Sequence, residues 1–333
     1  MPSIAPTLSD VAKLAGVSEI TVSRVVRNKG PISRATRSRV LAAIEALDYV
    51  PNRAAGSLAS ASAPLIGVLL PSLSNIVFPE VLRGIHVGLE STGYQPLIGV
   101  TDYDPLVEQH IVSSLLAWQP AALIMTGVDH TETTRKMLAN HRVRVAELMD
   151  IDAEPIGIAV GLSHRKAGYD TGRHLIGRGY RRFGYVGHDW DADRRARLRY
   201  DGLCTALAEA GMTLVAERRN PGPSSTLAGK ETLKALLQDE PGLDVVVFSN
   251  DDMAVGGYFH CLAAGIAVKD ELGLFGFNGL SIGQDLPTPL STVRSNRFLI
   301  GKTAVERLLD IAGTSDNRTI IDTGYEIVEG ATA

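Results

Sequence analysis

Apolar positions in the first fifty residues recur with helical spacing in three short blocks; beyond residue 64 they become short β-branched runs alternating with helical stretches. In the first block Val11, Ala12 and Ala15 make a small apolar face. It follows Thr7-Leu8-Ser9-Asp10, where a Thr hydroxyl and an acid three residues on suit a helix N-terminus. Gly16 supplies a tight turn and Ser18 caps a second helix. Val22, Val25 and Val26 of that helix point inward, and Glu19, Ile20, Thr21, Ser23, Arg24 and Arg27 face out. A third helix begins at Ser33-Arg34-Ala35-Thr36, with Val40, Ile44 and Leu47 inward. Two short helices joined by a glycine turn form a helix-turn-helix, whose second helix is the part that enters a major groove.

After Ser60-Ala61-Ser62-Ala63-Pro64, which reads as a linker, the alternation predicts strands at 65–70, 96–100 and 121–125, followed by helices near 77–93, 105–117 and 131–140. The rhythm returns at 156–160, 182–186 and 245–248, with helices near 164–178, 195–210 and 252–264. Buried strands followed by crossover helices imply parallel sheets covered on both faces. Two such series predict two Rossmann-like lobes, with one ligand site beyond the carboxyl ends of the strands, between the lobes.

Charge divides the chain in the same place. Residues 1–60 carry eight Lys or Arg against four Asp or Glu, whereas the whole 333-residue chain has a net charge of −4. A basic head on an acidic body suits a phosphate-binding module joined to a domain with another task. On the head, Thr21 and Ser23 suit phosphate oxygens, and Glu19, Ile20 and Arg24 suit base edges. Cys204 and Cys261 have neither CxxC nor metal spacing and read as buried thiols of a reducing compartment. No apolar run is long enough for a membrane span and no signal-peptide core opens the chain, so a cytoplasmic protein without membrane contact is expected. No GxGxxG, GxxxxGK[ST] or HExxH occurs, so neither a cofactor nor a metal is expected, and an enzymatic reading has no positive support.

The head resembles the DNA-binding domain of the lac-repressor family, whose pattern DVAxxAGVSxxTVSRVxN is matched in register from Asp10 to Val25, with Asn28 standing one residue beyond the pattern's last position. The resemblance implies binding to double-stranded operator DNA through Thr7, Ser18, Glu19, Ile20, Thr21, Ser23, Arg24, Asn28, Ser33 and Thr36. It continues through Asn52 and Arg53 into a hinge that folds on DNA and wedges Leu58, followed by Ala59, into the minor groove. Gly56 weakens this hinge helix by about 1 kcal/mol relative to alanine, so the hinge is expected to order only on DNA. The body is similar to the family's effector domain, and within the family to gluconate-operon repressors, through IGVLLPSLSNIVFPEVLRGI (66–85), ELMD (147–150), IAVG (158–161), SNDDMAVGG (249–257) and GFNGLSIGQ (276–284).

The fold implied is an N-terminal all-α helix-turn-helix (1–50), a hinge and linker (51–64), and an α/β periplasmic-binding-protein-like body of two Rossmann-like lobes (65–333). The lobe boundary is expected near 157–162, with crossovers back near 290. The function implied is a homodimeric repressor released from a palindromic operator by a sugar-acid effector, gluconate or a close relative. The resemblance assigns Arg199, in the RxxG motif, to the effector carboxylate, for which a planar guanidinium is the natural bidentate partner. Asn250 and Asn278 fall to its hydroxyls, and Ser72, Asn75, Phe78, Asp150 and His164 complete the set. Asp251 reads as structural, a short acid that bonds local backbone amides.

Ser163-His164 departs from the Asp-Asn common in the family, which removes a carboxylate near the cleft and makes His164 a candidate pH-dependent contact. Two other readings stand beside this one: a regulator answering to another sugar or keto-sugar acid, and a sugar-binding protein without an operator.

Overall fold

The computed structural model describes residues 5–26, 30–50, 63–190, 193–310 and 318–333. It divides into two units, Met1–Ala63 and Pro64–Ala333.

In the first unit the capping signals act as read. Thr7 and Asp10 form a reciprocal capping box at the start of helix Leu8–Ala15, and Gly16 closes it in the left-handed region at φ 62°. Helix Glu19–Val26 follows, with Ser18 Oγ accepting from the Thr21 amide at 3.3 Å. Helix Arg34–Ala46 starts from Ser33, whose hydroxyl accepts from the Thr36 amide. Val11, Ala12, Ala15, Val22, Val25, Val40, Ala43 and Tyr49 make its buried core, and Val26, Ile44 and Leu47 pack against it.

The second unit holds two six-stranded sheets, ordered β11-β5-β4-β3-β1-β2 and β12-β10-β9-β8-β6-β7. The first sheet is built from β1 (Ala63–Leu70), β2 (Gln95–Val100), β3 (Pro120–Thr126), β4 (Arg144–Asp150), β5 (Ile158–Leu162) and β11 (Thr319–Asp322). The second contains β6 (Phe183–Gly187), β7 (Ala216–Arg219), β8 (Val245–Phe248), β9 (Gly273–Asn278), β10 (Ser291–Ser295) and β12 (Tyr325–Val328). The strands pair in parallel apart from β12, which runs antiparallel to β10.

The strand read at 156–160 as the start of the second series is β5, and it belongs to the first sheet, with Ala146 to Asp150 of β4 opposite Ile158 to Leu162. Its local pattern is that of any buried parallel strand and carries no mark of which sheet it joins. The chain therefore passes between lobes after β5, again after β10, and a third time after β11. Helix Arg297–Leu309, on the second passage, packs against helix Phe78–Leu89 of the first lobe. One apolar core runs through both lobes, from Ile66, Val68 and Ile124 to Phe183, Tyr185 and Phe275.

Candidate functional site

In the first unit, Glu19, Ile20 and Arg24 are exposed on the outer side of the second helix, and Ile20 keeps 66% of its surface open. A large aliphatic side chain left so exposed on a polar face suits contact with a thymine methyl or a similar apolar group. Ser23 and Thr21 are half-buried, and the Thr21 hydroxyl lies 2.9 Å from that of Ser18. Thr7, Ser33 and Thr36 serve the helix ends: Thr7 Oγ1 donates to Asp10 Oδ2 at 2.6 Å, and Ser33 Oγ donates to Thr36 Oγ1 at 2.9 Å. Asn28, Asn52, Arg53, Gly56, Leu58 and Ala59 lie outside the described residues.

In the second unit the strands of the two lobes end at one cleft. Pro71, Thr101 and Thr126 from the first lobe, with Asp150 at the end of β4, face Asp193, Arg194 and Arg195 at the start of helix Arg194–Glu209. They border a cavity of about 140 Å³. Its first-lobe wall is acidic, with Asp104, Glu108, Asp129 and Asp150, and its second-lobe wall carries both arginines. The walls are bonded across the gap: Arg194 Nη1 meets Asp150 Oδ2 at 2.5 Å, and Arg194 Nε lies 3.4 Å from Asp129 Oδ2.

Neither these arginines nor Tyr103, which also borders the cavity, was singled out from the sequence. A signal for Arg195 was present, since it stands four residues before Arg199 and so on the same helical face.

Arg199 occupies a different place. It is buried at 8% exposure, with its guanidinium carbon 4.0 Å from the Phe277 ring centre. Nη2 donates to the Ser249 carbonyl (2.9 Å) and to Asn250 Oδ1 (3.1 Å), and Nη1 lies against His164 Nδ1 (3.1 Å). Asn278 Nδ2 joins the same Asn250 oxygen at 3.4 Å. The structure thus gathers His164, Arg199, Asn250 and Asn278 into one bonded group. The cavity beside Arg199 is about 20 Å³, room for about one water.

His164 is buried, and the loss of hydration together with the Arg199 charge holds its ring well below the ordinary histidine range. It is therefore a neutral packing residue near neutrality. Asp251 accepts from the Leu280 amide and the Thr292 hydroxyl, and burial lifts it to about 6.

Of the remaining candidates, Asn75 Nδ2 donates to the Tyr103 hydroxyl at 2.8 Å, Ser72 Oγ accepts from the Asn75 amide, and Phe78 is wholly buried in the core.

Two arrangements have the residue types of a hydrolase. Gly279-Leu280-Ser281-Ile282-Gly283 has the G-x-S-x-G spacing, yet Ser281 is exposed on a four-residue helix with no histidine bonded to it among the described residues. Ser249, His188 and Asp193 form a chain, with Oγ to Nδ1 at 2.9 Å and Nε2 to Oδ2 at 3.4 Å. Ser249 is buried beside the 20 Å³ cavity, so this chain braces Asp193 rather than meeting a substrate. No group of metal-binding side chains and no helix long and apolar enough to cross a membrane occurs among the described residues.

Comparison with known proteins matches residues 7–52 to the bacterial regulatory proteins of the lacI family, and residues 63–327 to the periplasmic binding proteins and sugar-binding domain of the LacI family. The chain belongs to the LacI family. It is 37% identical over 329 residues to the HTH-type transcriptional regulator GntR of Escherichia coli K12, covering 98% of each chain. A crystal structure of a LacI-family transcriptional regulator from Silicibacter pomeroyi superposes with a TM-score of 0.91 at 42% identity, covering 98% of this chain and 99% of that one. The lac repressor dimer bound to operator and the anti-inducer ONPF superposes at 0.87 with 25% identity, covering 99% of both. The protein is thus a DNA-binding transcriptional regulator and not an enzyme.

Proposed function

We propose that the protein is a homodimeric repressor of sugar-acid catabolism genes, released from a near-palindromic operator when gluconate or a close relative enters the interlobe cleft. The observation that carries this is the charge pattern of the cleft: two arginines, one paired with Asp193, on one wall and four carboxylates on the other suit a ligand with one acid group and several hydroxyls. The likeness to the GntR regulators supports the same reading.

Dimerisation is supported by apolar side chains left open on the edge strand β2, Leu97 and Ile98, and on helix Asp251–Ala264 of the other lobe, Phe259 and Leu262. A two-fold dimer requires a two-fold operator. Effector binding shifts the balance between two relations of the lobes, and the hinge around Leu58 transmits the shift by ceasing to fold on DNA. Such a regulator works beside the chromosome, in the cytoplasm.

The test is fluorescence anisotropy with labelled operator DNA. The full chain should bind with a steep salt dependence and be released by gluconate, whereas a chain lacking residues 1–60 should not bind. Equal affinity of both chains would remove the operator from the reading, and release by a neutral aldose alone would replace the sugar acid with a sugar.

A further inference from the structure

We propose that the effector's carboxylate is received by Arg195 on the second-lobe wall of the cavity, while its hydroxyls face the carboxylates of the first-lobe wall. This rests on the sugar-acid reading above and assigns the acid group a residue other than the arginine of the RxxG motif.

Space and bonding separate the two arginines. Arg195 borders the cavity of about 140 Å³, whereas Arg199 borders one of about 20 Å³. A six-carbon acid, with about a dozen non-hydrogen atoms, does not fit where about one water does. The Nη donors of Arg199 point to Ser249, Asn250 and His164, and its face lies on Phe277.

Arg194 fits less well than Arg195, because both its contacts are carboxylates of the opposite lobe, Asp150 and Asp129. Those pairs close the gap without a ligand. Arg195 instead has its acid on its own lobe, with Nε donating to Asp193 Oδ1 at 3.2 Å. Asp193 is itself fixed, capping the helix through the amides of Arg195 and Ala196 and meeting His188 Nε2 through its other oxygen. Besides Asp193 at Nε, the guanidinium has the Tyr103 hydroxyl as a hydrogen-bond partner, a neutral group that a bidentate carboxylate can displace from its terminal nitrogens. The Asp193 charge also keeps Arg195 protonated despite its burial.

The first-lobe carboxylates complete the orientation. Asp104 accepts from the Leu106 amide, and Glu108 lies 2.8 Å from His130 Nδ1. Held in this way, both carboxylates remain acceptors toward the cavity, which suits hydroxyl donors and repels a second acid group. A monoacid polyol therefore enters one way round.

The experiment is calorimetry on the full-length dimer with two probes, gluconate and its uncharged amide gluconamide. Wild type should prefer gluconate by roughly 10- to 100-fold. In Arg195→Gln that preference should collapse to near unity while the operator affinity stays at the wild-type value, the melting temperature falling because Asp193 loses its buried partner, and Arg195→Lys should recover part of the preference. A preference that survives in Arg195→Gln would overturn the assignment even if both affinities fall together. If wild type itself binds the two probes alike, the sugar-acid reading fails first and the assignment goes with it.

Discussion

Arg199 Nη1 lies 3.1 Å from His164 Nδ1, while the other ring nitrogen of His164 lies 2.8 Å from the Met149 carbonyl oxygen. A carbonyl only accepts, so Nε2 carries the proton and Nδ1 accepts from the guanidinium. The pair thus ties β4 of the first lobe to helix Arg194–Glu209 of the second through one neutral ring.

That neutrality has a pH signature. The folded ring is held well below its ordinary value of 6.5, so the unfolded chain takes up a proton first as the solution is acidified. The stability contribution is intact above about 6.5 and is lost as pH falls from there toward the folded value. Urea denaturation between pH 7.5 and 5 should show a fall in wild type that His164→Gln makes shallower. Identical slopes would mean that the ring is charged or exposed in the native protein.

His130 carries the opposite sign. It sits between Glu108 and Glu147, and their hydrogen bonds and charges outweigh burial to raise it to about 9. Its contribution is full below about 6.5 and disappears as pH rises toward 9. His130→Gln should therefore remove an alkaline loss of stability while leaving the acid limb set by His164. Glu147 Oε2 also accepts from the Ile156 and Gly157 amides, so Glu147→Ala should cost about 3 kcal/mol or more by orphaning donors and the histidine at once.

The glycine of the RxxG motif answers to packing. Helices His164–Gly177 and Arg194–Glu209 pass so closely that a Cβ on Gly202 would stand 2.0 Å from the Arg165 carbonyl oxygen, and one on Gly168 would stand 1.9 Å from that of Arg199. Gly202→Ala should force the helices apart, costing about 1–3 kcal/mol and weakening effector response more than operator binding. Thermal melting with anisotropy separates the two effects, and a wild-type melting temperature would refute the packing argument.

On the DNA-binding unit, two kinds of polar residue should behave differently. Thr7→Ala removes a capping box and should destabilise that unit by about 0.5–2 kcal/mol. Arg24→Ala removes only an exposed charge and should weaken operator binding, with wild-type stability and effector affinity. Equal melting losses in the two variants would show that Arg24 supports the fold.

Capping, turn and strand patterns were legible because each is written within a few adjacent residues: Thr7 with Asp10, Gly16, and the apolar run ending at Leu70. The interleaving of the lobes was not, since the local pattern of β5 does not say that it turns back onto β4, and β11 reaches β5 only across more than 150 residues of chain. Arg199, Asn250 and Asn278 could be found by register and do lie together. What register could not show is that this group turns into the second lobe, or that Asp193 and Arg195, beside it in the sequence, face the cavity.

The return of the chain to its first sheet also orders events during synthesis. β1 to β5 leave the ribosome well before helix Arg297–Leu309 and β11 exist. Until then β5 has an open edge, and the face of helix Phe78–Leu89 that receives the later helix is bare. The lobe translated first thus stays incomplete until β11, almost at the end of the chain, just before β12 closes the second sheet. Such a nascent chain shows an unpaired strand and apolar surface to its neighbours, which makes it a client for chaperones.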